Sequence, residues 1–204
     1  MNLPWYIARS AGLVAWTLLA ASVVWGLILS TKVFGKRPRP AWVLDLHRYL
    51  GGLAVVFVAV HIAGIMADRY VDFGWVQTFV PLASSWRPVA VAWGVVSLYV
   101  LLAVEITSLL RHRIPETWWR RTHVASFALF VMSAIHALSA GTDASTRAMQ
   151  WWILGGIAMV SGLVAVRLAT RGNRSRATDD RRERLAALRA GSTVQPAPRR
   201  ASTR

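Results

Sequence analysis

Five apolar runs dominate the chain, at roughly 11–30, 46–67, 88–110, 122–140 and 150–170. A helix needs about 20 residues to cross about 30 Å of hydrocarbon, and each run is long enough. The expected fold is therefore all-α: a polytopic membrane bundle of about five transmembrane helices. A chain that is 55% hydrophobic and carries 11 Trp fits that class and not a soluble domain of the same size. Small residues within the runs suit close helix packing in lipid. Trp42, Trp75, Trp118, Trp119, Trp151 and Trp152 fall at run ends, where aromatic belts form.

The charge is concentrated between the runs. Arg9 alone precedes the first, whereas Lys32, Lys36, Arg37 and Arg39 follow it. A secretory signal carries its charge in front, so a retained span that starts outside is expected. Arg111, Arg113, Arg120 and Arg121 separate runs three and four, and eleven Arg follow from Arg167 onward. The opposite loops hold Asp68, Arg69, Asp72 and Arg87, then Asp143 and Arg147. The positive-inside rule places the N-terminus outside and the C-terminus in the cytoplasm. The preference for Arg over Lys hints at a GC-rich bacterial genome, hence a plasma or inner membrane. A net charge of +15 could mean a nucleic-acid partner, but these cations flank apolar runs and anionic lipid accounts for them.

Residues 1–170 read as the transmembrane domain and 171–204 as a basic cytoplasmic tail, expected to be disordered. Asp179–Arg189 could form a short helix on an anionic membrane surface. The tail is too short for a flavin or nucleotide domain. Neither a G-x-G-x-x-G after a strand nor a Walker pattern occurs. The absence of cysteine excludes disulfides, iron–sulfur clusters and covalent c-type haem attachment.

Polar intrusions in the spans carry the chemistry, since strongly ligating residues in lipid mark function by default. Run two holds His47 and His61, and run four His123 and His136. The members of each pair stand about 20 Å apart along a helix, too far for one shared ion but suited to two stacked macrocycles. Both runs cross in the same direction, so His47 matches His123 in depth near the inner face. His61 matches His136 near the outer face. Two such pairs are what two bis-histidine b haems require. The phase is uneven: fourteen residues return His61 to within about 40° of His47, but thirteen leave His136 about 140° from His123 on an ideal helix. Either run four is irregular or its ligands approach from different flanks. His112, between Arg111 and Arg113, reads as a surface residue.

LHRYLGGLAVVFVAVHI (46–62) and WWRRTHVASFALFVMSAIHAL (118–138), with one span between them, resemble the ferric reductase-like transmembrane domain family. That family includes NADPH oxidases, yeast-type ferric reductases and the haem-binding membrane subunit of the bacterial methionine sulfoxide reductase system. The resemblance covers about residues 11–170. It implies that His47 and His123 ligate an inner haem and His61 and His136 an outer one. The oxidases and yeast reductases also carry a flavin and nicotinamide domain and commonly a sixth span. Neither is read in this sequence.

A haem with two axial imidazoles favours electron transfer over ligand binding. The expected function is electron passage from a separate donor, a flavoprotein reductase or a quinol, to an extracytoplasmic acceptor. A quinol-linked cytochrome b subunit is one alternative, and a non-redox transporter or assembly factor binding a bare cation is another. Arg48, Arg120 and Arg121 are candidate partners of inner haem propionates, and Arg69, Arg87 and Arg147 of outer ones. Phe57, Phe127 and Phe130 lie between the ligand levels, with packing the favoured role. Gly51, Gly52 and Gly64 could admit a porphyrin, though helix packing is favoured. Glu105, the lone acid within a span, is expected to pair with Arg48 or Arg120; a proton-coupled role is the alternative.

Overall fold

A computed structural model describes residues 3–31, 41–68 and 73–192. Seven helices follow in order: α1 Leu3–Thr31, α2 Ala41–Ala67, α3 Trp75–Phe79, α4 Pro88–Leu109, α5 Glu116–Val124, α6 Ser126–Ala140 and α7 Arg147–Ser192. No strand occurs among the described residues. Five candidate spans result, with α5 and α6 together forming the fourth and Arg147–Thr170 the fifth. The basic loop 32–40 and residues 69–72, including Arg69, lie outside the described residues.

By internal contacts the chain divides into Met1–Leu163 and Val164–Arg204. Where a disordered tail was expected, α7 continues as helix to Ser192; residues 193–204 lie outside the described ones. The run RRERLAALRA (181–190) is made of Arg, Glu, Leu and Ala, all strong helix formers, which outweighs its charge.

In the first unit α1 packs along α2 and α4 along α6, with α1 also meeting α6. Small residues set the closest approach. A Cβ at Gly64 would stand 2.8 Å from the Ala8 amide nitrogen, so α1 and α2 touch backbone to backbone there. Leu27, Ala54, Leu129, Phe130 and Ile153 are buried at the centre, while Val56, Tyr99 and Val131 remain exposed on the outside. Apolar side chains facing outward are the normal surface of a bundle whose solvent is lipid. Trp42, Trp75, Trp118, Trp151 and Trp152 are exposed at helix ends, as an interfacial belt requires.

The fourth span is irregular, and this reduces its phase mismatch. Helix α5 ends at Val124 and α6 starts at Ser126. Between them the Ala125 amide donates to the Thr122 carbonyl at 3.0 Å, an i to i−3 bond. A turn of that kind winds about 120° per residue in place of 100°. Three residues so wound shift His136 by about 60°, bringing the mismatch with His123 from about 140° to about 80°.

Candidate functional site

The four span histidines meet in two cross-helix pairs. His47 on α2 and His123 on α5 have ring centroids 5.9 Å apart. His61 on α2 and His136 on α6 are 6.4 Å apart. A metal ion between two trans imidazoles lies about 2 Å from each nitrogen, which sets the ring centroids about 6 Å apart. Both pairs meet that distance. The described residues bring no three of His, Cys, Asp or Glu together, so no closed cage for a bare cation is built among them.

Three of the four rings are held from behind by a backbone carbonyl of the neighbouring helix. His61 Nδ1 donates to the Ala8 carbonyl at 2.6 Å and His136 Nδ1 to the Ala90 carbonyl at 2.8 Å. His47 Nδ1 donates to the Ser22 carbonyl at 3.0 Å. A donor at Nδ1 fixes the tautomer that leaves Nε2 as the free lone pair, the arrangement a ligating histidine needs.

Glycine makes these bonds possible. A helical carbonyl already accepts the amide four residues on, and the side chain there covers it. At three of the sites that residue is glycine: Gly12 after Ala8, Gly26 after Ser22, Gly94 after Ala90. A Cβ at Gly12 would lie 2.9 Å from His61 Nδ1, and one at Gly94 2.7 Å from His136 Cε1. At Gly26 the nearest ring atom, His47 Cε1, would be 3.2 Å away. His123 departs from this pattern. Its Nδ1 faces the Ser108 hydroxyl at 3.5 Å, and Trp119 stacks on its ring at 5.1 Å with the planes 24° apart.

His61 and His136 line a cavity of about 360 Å³, within the range of ligand sites, walled by residues including Gly12, Trp16, Gly94 and Leu101. Its lining is mostly apolar, with Arg9 and Asp143 on it. These two form a bidentate ion pair that joins α1 to the α6–α7 connection. Trp16, buried between the two histidine levels, stacks on Phe130 at 5.6 Å. Phe130 is thus a packing residue, and Phe57 and Phe127 are half-buried.

The candidate cations sit at the periphery. Arg48 is exposed, 3.8 Å from Asp45, and Arg120 is exposed, 2.9 Å from Glu116. Arg121, Arg147 and His112 are exposed, while Arg87 donates to the Ser139 carbonyl at 2.8 Å. The ion pair expected of Glu105 does not form, because Arg48 and Arg120 each find an acid one turn away on their own helix. The Glu105 carboxyl instead packs against the backbone at Gly51. Gly51 and Gly64 therefore serve close packing, whereas a Cβ at Gly52 would meet nothing within 4 Å.

Sequence reading missed Gly12, Gly26, Gly94, Ser108 and Trp119. A signal was present: Gly12 and Gly26 share the fourteen-residue spacing of His47 and His61, and so do Gly94 and Ser108. A family model described as ferric reductase like transmembrane component matches residues 11–135. No curated protein and no solved structure gives a match.

Proposed function

This chain belongs to the ferric reductase-like transmembrane family, and from that premise we propose that it carries electrons across a cell membrane through two b-type haems. His47 and His123 would hold the inner one and His61 and His136 the outer. When bound, the haems supply a one-electron path from a cytoplasmic-side donor, a flavoprotein reductase or a quinol, to an extracytoplasmic acceptor. The observation that carries the reading is the pair of imidazole separations, 5.9 and 6.4 Å, at two levels of one bundle.

The chain's own part is positional. The Ala8, Ser22 and Ala90 carbonyls hold three rings with Nε2 directed away from them. A haem held by two imidazoles would favour electron transfer over chemistry at the metal. Mostly apolar walls surround His61 and His136. Arg9 is a cation at the edge of that cavity and joins Arg87 and Arg147 as a candidate propionate partner. Arg48, Arg120 and Arg121 keep that role at the inner level, reached by side-chain rotation from the surface. The inward orientation of the C-terminus follows the charge rule.

A reduced-minus-oxidised spectrum with haem stoichiometry tests the proposal. Purified protein should contain about two bis-imidazole haems per chain, and His61→Ala about one. Folded protein that stays colourless with adequate haem supply, or binds a divalent cation in its place, refutes it.

A further inference from the structure

Three of the four histidines share one support, a backbone carbonyl at Nδ1 exposed by a glycine four residues on. His123 does not. Position 108 holds serine where the pattern has glycine, and its hydroxyl stands at the 3.5 Å limit of a hydrogen bond. A ring bound through one nitrogen and unsupported at the other would turn about its bond. Trp119 lies flat against that ring, 24° from parallel. The Arg111 guanidinium sits 4.8 Å from the centroid of the same indole. Trp119 thus touches both the exposed Arg111 and His123. The indole N–H of Trp119 is buried without a partner. It is therefore not a hydrogen bond of its own that fixes the indole, leaving the two stacking contacts to do so.

We infer that Trp119, clamped by Arg111, is the positioning residue of the inner centre: it sets the ring plane of His123 in place of the carbonyl seat that the other three ligands use. This rests on the two-haem reading. It separates Trp119 from Trp118, which is 65% exposed one residue earlier and has only an interfacial role. It also makes the inner centre the one whose properties answer to the cytoplasmic surface, because Arg111 is exposed there.

The test compares full-length wild type, Trp119→Leu, Trp119→Phe and Arg111→Gln by redox titration and by electron paramagnetic resonance of the low-spin ferric centres. Losing a supporting partner of a metal-bound histidine costs about 10–100-fold in metal affinity, and the midpoint moves by the part of that felt in one oxidation state only. Trp119→Leu should thus move one midpoint by a tenfold change in equilibrium, about 59 mV for one electron, and shift one resonance signal. The other centre, identified as the outer by its absence in His61→Ala, should stay put. Trp119→Phe keeps a face for both contacts and should restore most of the wild-type signal. Arg111→Gln, a surface change that should leave folding intact, should move the same midpoint negative, since removing a cation disfavours the reduced state. Both centres unchanged, both shifted alike, or Phe behaving as Leu overturns the inference while the haems remain. Should Trp119→Leu fail to assemble, an unchanged midpoint in Arg111→Gln overturns it. Wild type without haem instead fails the functional reading itself.

Discussion

Replacing one hydrogen atom by a methyl group at Gly94 should remove the outer haem. A Cβ there would lie 2.7 Å from His136 Cε1 and 2.8 Å from Nδ1. Ordinary carbon contacts are about 3.5–4.0 Å, so the ring must retreat by about 1 Å. The Nδ1 bond to the Ala90 carbonyl, 2.8 Å long, then stretches beyond hydrogen-bonding range. Losing a neutral hydrogen bond costs about 0.5–1.5 kcal/mol. Losing the support of a ligating histidine costs about tenfold to a hundredfold in affinity, about 1.4–2.7 kcal/mol. The same reasoning grades a series. Gly12→Ala, with its Cβ 2.9 Å from His61 Nδ1, should resemble Gly94→Ala. Gly26→Ala, at 3.2 Å from His47, should lose less and only at the inner centre. Gly52→Ala, with nothing within 4 Å, is the control. Alanine stabilises a helix interior by about 0.5–1 kcal/mol over glycine, so helix propensity alone would improve all four. Haem stoichiometry and difference spectra at limiting haem give the order directly. Two unaltered centres in Gly94→Ala, or an equal loss in Gly52→Ala, would refute the seating argument.

The Arg9–Asp143 pair is part-buried, so Asp143→Asn should lower stability by about 1–2 kcal/mol, between the exposed-pair and charged hydrogen-bond ranges. A double-mutant cycle with Arg9→Gln, read by thermal unfolding in detergent, should show coupling; effects additive within about 0.5 kcal/mol would count against it. Glu105→Gln should leave stability within about 0.5 kcal/mol, because that carboxyl has no salt-bridge partner among the described residues. A loss of about 3–5 kcal/mol, as when a buried ion pair is broken, would restore the pairing expected from sequence.

The spans were legible because lipid demands long apolar runs, and the histidines because such residues are costly there. Depth matching followed from the charge of the loops and was enough to anticipate which rings would meet. What escaped has physical reasons. Ala125 ends α5 with no proline or glycine to mark it, because a tight turn in a span needs only a small residue and a shared carbonyl. Gly12, Gly26 and Gly94 were hidden because glycine is ordinary in packed membrane helices. Trp119 looked like Trp118 because a single residue separates a side chain facing lipid from one turned about 100° onto His123. Glu105 was assigned a distant cation when acids at i−3 and i−4 compete better for each arginine.

The seats also give the bundle an internal logic. Helix α1 supports the histidines of α2, and α4 supports those of α5 and α6, so each half pairs a buttress helix with a histidine-bearing one. Gly12 corresponds to Gly94, and Gly26 to Ser108, with the same offset of 82 residues (94 − 12 and 108 − 26). The ligand helices do not keep a single offset: His61 to His136 is 75 residues, and His47 to His123 is 76. The second half is therefore one residue short between its histidines while its buttress keeps full spacing. An unbroken helix could not satisfy both, since one missing residue turns the second ligand by about 100° and lowers it by about 1.5 Å. The tight turn at Ala125 offsets part of that deficit, restoring about 60° and about 1.5 Å over three residues. It lies two residues from His123, the one span histidine that faces a serine where the other three face a glycine. The break, the serine and the stacked indole thus fall together at His123, with Trp119 on the short helix that ends at the break.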